Sequence, residues 1–446
     1  TGGGTKLVRP VADLGKKVAI IEKDQLGGTC LNRGCIPSKM LIHPAEVLDE
    51  IRQAKKYGIN VSSDITVDFS ELVTRVNTIV DQESASIEPL YEDYDGITLF
   101  KGVAQFLSNT EILVGSDCLT APVIVIAAGG RPKIPSIEGL DQVPYWTSTE
   151  ALRTMQCPKS MFVIGAGYIA TELGYFFQSM GTAVTYLVRS CFLKSEDDDI
   201  REVFEKQFSK HNHVIYNNSV VRVDYRDDQF HILLSDEKTY CVDQLLIATG
   251  IQPNSDILDL HRTDIACDDN GFIQVDDYLQ TTVKKVYAIG DILGRYQFRH
   301  SVNFEGQYLF ENLFIHDRSC KIKYPPMPHA VFTNPQVAGV GLTERDCQKN
   351  KRDYYVGVNA YKDSAMGMAL LSEDDFVKLL FDSKTHQLIG AHIIGKEAAT
   401  MIHMLILAMN LKATCMDLQQ MIYIHPALPE AVRNAVRKAQ KNCQMG

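Results

Sequence analysis

Long apolar segments are missing from this 446-residue sequence, in which no run of 18 or more apolar residues occurs. A helix needs about 20 such residues to cross a bilayer, so we expect no membrane span. An excess of basic residues is missing as well, since 45 Lys and Arg stand against 55 Asp and Glu and the net charge is −10. This charge argues against a general nucleic-acid-binding protein. No secretory signal is visible, although a sequence that begins at Thr1 leaves its native start open.

A second closely spaced cysteine pair is also missing. Of 11 cysteines, only Cys30 and Cys35 form a recognisable pattern, five positions apart in the segment GGTCLNRGCIPSK, residues 27–39. Zinc sites usually need two such pairs, so we expect no metal. We favour a redox-active disulfide, with a structural disulfide or half of a zinc site as the alternatives. The other cysteines are scattered without regular spacing, which is typical of a reducing compartment, and we expect a cytoplasmic protein.

The residues around the cysteines favour thiol chemistry. Glycines precede both cysteines and allow the backbone to approach a flat partner closely. We expect the pair at the start of a helix, where unpaired N–H groups and the positive end of the helix dipole stabilise a thiolate. The thiolate is the form of cysteine that attacks disulfides.

A glycine-rich turn opens the sequence, and an apolar strand at residues 18–23 follows it. Glu22 stands 20 residues after Gly2, where an acid binds a ribose hydroxyl in a dinucleotide-binding unit. Leu7 stands where a third glycine is usual, and Pro10 should delay or kink the next helix. The strand that normally precedes such a turn is absent, so we expect further residues upstream.

The best dinucleotide fingerprint lies farther along, where an apolar strand enters Gly165-x-Gly167-x-x-Ala170 and a helix follows. The next strand ends at Val188, without the carboxylate that would bind the ribose of NADH. Arg189 follows directly, and an arginine suits the 2′-phosphate of NADPH through bidentate, charge-assisted bonds. We therefore favour NADPH over NADH, with a solvated surface arginine as the alternative.

Other segments indicate how the chain is divided. Residues 123–130 and 244–250 are both apolar strands that run into glycines, which suggests two related dinucleotide domains, one inserted in the other. We expect helices from Pro44 to about Tyr94, and antiparallel strands at residues 97–103 and 111–114. From about Tyr324, strands at 330–332, 376–382 and 388–394 and a helix at 397–412 suggest an α+β terminal domain.

The length predicts two to four domains. We predict an α/β fold with two Rossmann-like dinucleotide-binding domains, one inserted in the other, and a C-terminal α+β domain. The expected boundaries are residues 1–145 for the first domain, 146–270 for the second, 271–325 for a central segment returning to the first, and 326–446 for the last.

A second chemical centre lies near the end, where His425 and Glu430 stand in the segment HPALPE. A lone His–Pro pair is usually structural. A carboxylate that hydrogen-bonds one imidazole nitrogen, however, orients the ring and raises its basicity, leaving the other nitrogen to move a proton. The spacing of five residues therefore favours an acid–base pair.

These two motifs carry a resemblance to a known family. GGTCLNRGCIPSK resembles the active-site motif of the FAD-dependent pyridine nucleotide-disulfide oxidoreductases, and HPALPE matches the HPxxxE motif of the same family. The resemblance covers nearly the whole chain in the expected motif order. It implies an enzyme of cell redox homeostasis that binds FAD and a nicotinamide nucleotide, and a homodimer in which His425 completes the site of the other subunit.

The resemblance implies a role for each reacting group. Cys35 lies beside the flavin and forms the charge-transfer thiolate, and Cys30 attacks the substrate disulfide. His425, held by Glu430, protonates the departing thiolate.

It also implies the cofactor contacts. Lys39 pairs with Glu172 near the flavin, Tyr168 covers the flavin until nicotinamide displaces it, and Asp291 binds the ribityl chain. Ordinary packing and surface roles are the alternatives for Lys39 and Tyr168. The implied cofactor-binding residues are Gly2, Gly4, Glu22, Lys23, Gly28, Thr29, Lys39, Ala128, Gly129, Gly165, Gly167, Tyr168, Ile169, Glu172, Arg189, Gly250, Gly290 and Asp291.

Within the family, the sequence resembles the mycothione reductases most, in HPALPE, in AVFTNPQVAGVGLTE at residues 330–344, and in Arg189. The implied function is NADPH-dependent reduction of a small disulfide. The alternative is a dihydrolipoamide dehydrogenase, which oxidises dihydrolipoyl groups with NAD+. A remoter alternative is a flavoprotein binding subunit without turnover. Mercuric reductases usually carry a C-terminal cysteine pair, whereas Cys443 stands alone.

Overall fold

The computed structural model describes residues 3–62, 65–316 and 320–445, so Gly2 lies outside the described residues. Its α-helices span Val8–Asp13, Gly28–Arg33, Cys35–Gln53, Phe69–Ala85, Ile87–Glu92, Ser148–Ala151, Tyr168–Ser179, Asp198–Phe208, Arg299–Phe310, Glu344–Lys349, Ala365–Ala369, Ala398–Asn410, Cys415–Gln420 and Glu430–Met445. No helix in the described part of the chain is long and apolar enough to cross a membrane. The predicted α/β class is confirmed.

The N-terminal part of the chain forms two pairs of parallel strands. Val18–Glu22 pairs with Ile97–Lys101, and Ile124–Ile126 pairs with Val286–Ala288. The second pairing joins a strand after residue 271 to a strand of the N-terminal part of the chain. Pro10 lies in the first turn of the first helix, Val8–Asp13, where a proline is tolerated.

One strand prediction was wrong. Ile97–Lys101 does not belong to an antiparallel excursion but pairs in parallel with Val18–Glu22. The helices between these strands form the long crossover that a parallel pair requires. The antiparallel excursion comes later and consists of the strands Gln105–Phe106, Glu111–Val114 and Asp117–Thr120.

The middle of the chain builds a four-stranded parallel sheet with helices packed on it. Its strands lie in the order His213–Tyr216, Ala183–Val188, Ser160–Ile164 and Gln244–Ile247. This order, 3-2-1-4 along the chain, is the arrangement of a dinucleotide-binding half-sheet. An antiparallel sheet of Val220–Arg226, Gln229–Leu234 and Thr239–Val242 covers it.

The chain enters and leaves this middle region through one antiparallel ribbon, in which Gly130–Pro132 pairs with Ile251–Pro253. Arg131 braces the ribbon, because its guanidinium donates to both carboxylate oxygens of Asp256 at 2.8 and 2.5 Å and to Asn254 Oδ1 at 3.1 Å. The ribbon therefore fixes the glycine turns that precede it in both segments.

The C-terminal region is a five-stranded antiparallel sheet, in the order Pro328–Val331, Val337–Gly341, Leu388–Ile394, Phe376–Asp382 and Tyr354–Ala360. Two of the three inner strands, Leu388–Ile394 and Phe376–Asp382, are buried along their whole length. Helix Glu430–Met445 lies so close to the edge strand that a Cβ at Gly357 would come within 2.0 Å of the Ala435 carbonyl oxygen. The predicted α+β character is confirmed.

Candidate active site

The cysteine segment folds into two helices joined by a tight glycine turn. Cys30 lies in the short helix Gly28–Arg33, and Cys35 is the first residue of the helix Cys35–Gln53. Gly34 separates them, and a Cβ there would stand 2.8 Å from the carbonyl oxygen of Thr29. Glycine is therefore required between the two helices, and the turn places Cys35 at the predicted helix N-terminus.

The two thiols are hydrogen-bonded to each other, and their pKa values shift in opposite directions. Both cysteines are free thiols in the structure. The hydrogen bond between them raises the pKa of Cys30, and burial raises it further. The same hydrogen bond lowers the pKa of Cys35, burial opposes this effect, and the Lys39 ammonium lowers the pKa again. These opposite directions of the two pKa values favour a thiolate at Cys35 and a protonated thiol at Cys30.

The predicted ion pair beside the cysteines is present. Lys39 Nζ lies 2.5 Å from Glu172 Oε2, and the Glu172 side chain is only 6% exposed. Glu172 Oε1 also accepts a 3.0 Å hydrogen bond from the backbone N–H of Phe332. Burial raises the pKa of Glu172, and the Lys39 ammonium opposes that shift, so the carboxylate depends on its partners for its charge.

A cavity of about 1360 Å³ contains most of the predicted cofactor residues. Pockets for drug-sized ligands are about 300–1,000 Å³, so this one has room for a dinucleotide. The predicted residues on its wall are Gly4, Glu22, Lys23, Gly28, Thr29, Cys30, Cys35, Lys39, Ala128, Gly129, Tyr168, Ile169, Glu172, Gly250, Gly290 and Asp291. The structure thus brings together residues that are far apart in sequence.

The polar groups of the cavity fit a flavin dinucleotide. The Asp291 carboxylate faces the cavity without a hydrogen-bond partner among the described residues, and burial raises its pKa to about 6. A partly buried acceptor of this kind fits a sugar-alcohol hydroxyl. At Gly129, where φ is +65°, a Cβ would meet nothing within 4 Å, so the backbone is open to a ligand. Tyr168 is partly buried at the same cavity, and this burial raises its pKa.

The fingerprint glycines lie between the strand Ser160–Ile164 and the helix Tyr168–Ser179, in the predicted order. A Cβ at Gly165 would stand 2.2 Å from the Ala248 carbonyl oxygen, which ties this turn to the neighbouring strand. A Cβ at Gly167 would meet nothing within 4 Å, so the helix N-terminus is open to a phosphate. Neither glycine is on the cavity wall, and Arg189 is exposed beyond the adjacent strand.

The C-terminal pair has the predicted local geometry. His425 Nδ1 lies 3.0 Å from both carboxylate oxygens of Glu430. The imidazole is 70% exposed, whereas the carboxylate is 4% exposed and also pairs with Arg433 at 2.8 Å. The hydrogen bond with His425 lowers the pKa of Glu430, despite an opposing effect of burial. Neither residue is on the wall of the cavity that holds the cysteines of its own chain.

Two functional candidates were not predicted. Phe332 contacts the Lys39–Glu172 pair, and Arg299 lines the cavity and lowers the pKa of Cys30, against the larger effects that raise it. Neither lies in a spaced motif. Phe332 is within the quoted segment AVFTNPQVAGVGLTE, but its contact with Glu172 spans 160 positions, which local patterning does not reveal.

The fold and the cysteine site define a class of redox protein, and the chain belongs to the pyridine nucleotide-disulphide oxidoreductase family. The family model of that description matches residues 2–306, and the model of its dimerisation domain matches residues 327–436. The members are flavoprotein disulfide oxidoreductases, so the family implies FAD and NAD(P)H as cofactors, and the dimerisation domain indicates a homodimer.

Individual members of the family match nearly the whole chain. The chain is 36% identical to mycothione reductase of Mycobacterium tuberculosis over 433 residues, covering 94% of each chain. It is 32% identical to dihydrolipoyl dehydrogenase of Rhizobium etli, covering 98% of this chain and 96% of the relative. A solved structure, the HOCl-induced flavoprotein disulfide reductase RclA from Escherichia coli, matches with a TM-score of 0.87 and 25% identity, covering 99% and 98% of the two chains.

Proposed function

We propose that this protein uses NADPH to reduce a low-molecular-weight disulfide, as a mycothione-type reductase does. The observation that carries the proposal is the placement of Cys30 and Cys35, with the Lys39–Glu172 ion pair, on the wall of one dinucleotide-sized cavity. The 36% identity to a mycothione reductase supports the choice of substrate class. Assays of NADPH oxidation with mycothiol disulfide, glutathione disulfide and lipoamide test the proposal. It would be refuted if the protein reduced none of these three disulfides.

The residues on the cavity wall would hold FAD. Gly4, Gly28 and Thr29 line the cavity and would offer backbone N–H groups to the pyrophosphate, and Glu22 would bind a ribose hydroxyl. Asp291 would accept a hydrogen bond from the ribityl chain. When bound, FAD supplies the two-electron link between the nicotinamide nucleotide and the cysteine pair.

Asp291→Ala is expected to lower the FAD content of the purified protein severalfold, because a partly buried acceptor for a ligand hydroxyl is lost. The measurement is the flavin absorbance released on denaturation, per mole of protein. Asp291→Asn keeps an acceptor oxygen and is the matched control, with flavin content closer to that of the wild type. A wild-type flavin content in the alanine variant would remove Asp291 from the FAD site.

The thiol chemistry follows from the two pKa directions. Cys30 keeps its proton and needs a base before it attacks, and the exposed nitrogen of His425 of the partner subunit would take that proton. The Cys30 thiolate then attacks one sulfur of the substrate, its S–S bond breaks, and the imidazolium protonates the departing thiolate. The Cys35 thiolate attacks the Cys30 sulfur, which expels the second substrate thiolate and restores the Cys30–Cys35 disulfide, and the expelled thiolate takes its proton from solvent.

Glu430 would hold the imidazole for both proton transfers. Its carboxylate is buried and fixed by Arg433, so it orients the ring through Nδ1. Nε2 is then the nitrogen that exchanges the proton. A dimer is required by this scheme, because His425 is not at the cavity of its own chain.

Arg189 would select NADPH by binding its 2′-phosphate, since the preceding strand ends at Val188 without an acid. Arg189→Ala is expected to raise the KM for NADPH about tenfold to a hundredfold and to leave the KM for NADH nearly unchanged, because only NADPH loses charge-assisted bonds. Steady-state kinetics with both nucleotides measure this. Arg189→Lys keeps the positive charge but loses the bidentate guanidinium, so its KM for NADPH should lie between those of the wild type and the alanine variant. Equal effects on both nucleotides would contradict the proposed role.

The second candidate function is oxidation of dihydrolipoyl groups with NAD+. The 32% identity to a dihydrolipoyl dehydrogenase favours it, whereas Val188 and Arg189 at the nucleotide site do not. Rapid lipoamide turnover with NAD+ and slow reduction by NADPH would establish this alternative.

A further inference from the structure

Phe332 makes two separate contacts with the ion pair beside the cysteines. Its backbone N–H donates to Glu172 Oε1 at 3.0 Å, and the Lys39 ammonium lies over its ring, 4.6 Å from the centroid. An ammonium within about 6 Å of a ring face is attracted by the ring quadrupole. One residue therefore contacts both members of the pair.

The position of the Lys39 ammonium needs such support. Lysine is a point charge on a flexible four-carbon stem, and the Lys39 side chain is 37% exposed. Glu172 attracts the ammonium at 2.5 Å, and Ser38 Oγ lies 3.4 Å away. The Phe332 ring restricts the ammonium on another side, because it replaces solvent with an attractive aromatic face.

The place where Lys39 is held affects Cys35. Lys39 stands four residues after Cys35, which is one turn along the same helix and on the same face. The titratable groups that act on Cys35 or respond to it are Cys30, Lys39, Glu172 and Tyr168. Among these, Lys39 is the cation, and Glu172 opposes it. The thiolate therefore depends on how closely the ammonium is held.

We propose that Phe332 is a positioning residue that acts through Lys39, holding the ammonium beside Cys35 with its ring and fixing Glu172 with its backbone N–H. Phe332 follows the first strand of the C-terminal sheet, so this sheet supports the redox pair of its own chain. The partner subunit would contribute separately through His425. The inference rests on the proposed function, in which Cys35 is the thiolate of the reduced pair.

The test is a pH titration of the long-wavelength absorbance band of the two-electron-reduced holoprotein, which reports the Cys35 thiolate. Phe332→Leu keeps an apolar side chain but removes the ring face, and the midpoint should rise by about half to one pH unit. Phe332→Tyr keeps the ring and should titrate as the wild type. Phe332→Met is a second ringless variant, in case the leucine protein does not accumulate.

Lys39→Met provides the internal control. It should raise the midpoint itself, and Phe332→Leu should then have no further effect in the same chain. The inference is overturned if the ringless variants titrate as the wild type. It is also overturned if Phe332→Leu shifts the midpoint by the same amount in a chain that carries Lys39→Met as in one that keeps Lys39. A band that persists in Cys35→Ser would instead refute the proposed role of Cys35, so the two failures are distinguishable.

Discussion

Cys30→Ser is expected to lower the rate of disulfide reduction at least about 1,000-fold, because a serine hydroxyl cannot form the mixed disulfide with the substrate. Electron transfer from NADPH to an artificial quinone acceptor should remain, since that reaction needs neither cysteine. Anaerobic assays of thiol production and quinone reduction on the same preparation measure both.

The control for this prediction is Cys118→Ser, which changes an exposed cysteine away from the cavity wall. It should leave both activities unchanged. If Cys30→Ser retained disulfide reduction near the wild-type rate, another group would have to be the attacking thiol, and the assignment of Cys30 would be wrong.

His425→Ala is expected to slow disulfide reduction about 10²–10⁴-fold, the usual contribution of a general acid–base group. Cys30 has a raised pKa and loses the base that removes its proton, and the departing thiolate loses its acid. Reduction of the holoprotein by NADPH should stay fast, because His425 takes no part in it. Stopped-flow measurement of the two half-reactions separates the effects, and wild-type rates for both would exclude the proposed role.

A mixed dimer tests which subunit His425 serves. A heterodimer of one Cys30→Ser chain and one His425→Ala chain has one site with both lesions and one site with neither, provided that His425 acts on the other subunit. Such heterodimers should recover up to half of the wild-type activity, although both parent homodimers are inactive. If His425 served its own chain, both sites would carry one lesion and no activity would return. His261→Ala, at an exposed histidine, is the matched control for the alanine substitution.

Local patterns predicted much of the fold. The strands Phe376–Asp382 and Leu388–Ile394 were predicted with their observed bounds, because apolar residues dominate both segments, although Lys378 and His392 are buried within them. The fingerprint at Gly165 predicted its strand, turn and helix, because these three elements are consecutive in the sequence. The strand Ile97–Lys101 was assigned to the wrong sheet, since its partner Val18–Glu22 lies across a long helical crossover.

In the candidate site, too, contacts between residues close in sequence were predicted from their spacing, whereas contacts between distant residues were not. His425 and Glu430 stand five positions apart, so their spacing predicted the 3.0 Å contact. The Lys39–Glu172 pair spans 133 positions and was predicted only through the family resemblance. Phe332 was missed, because an aromatic residue beside a strand has no local signal that it lies under an ammonium from another part of the chain.

The central claim is that NADPH drives disulfide reduction through the cysteine pair, and anaerobic stopped-flow spectroscopy tests it most directly. The purified holoprotein is mixed with NADPH or with NADH, while the flavin absorbance and the long-wavelength band are followed. A low-molecular-weight disulfide is then added. We predict fast reduction by NADPH, slow reduction by NADH, and loss of the long-wavelength band when the disulfide is added. Fast reduction by NADH alone, or a band that does not respond to any disulfide, would contradict the account.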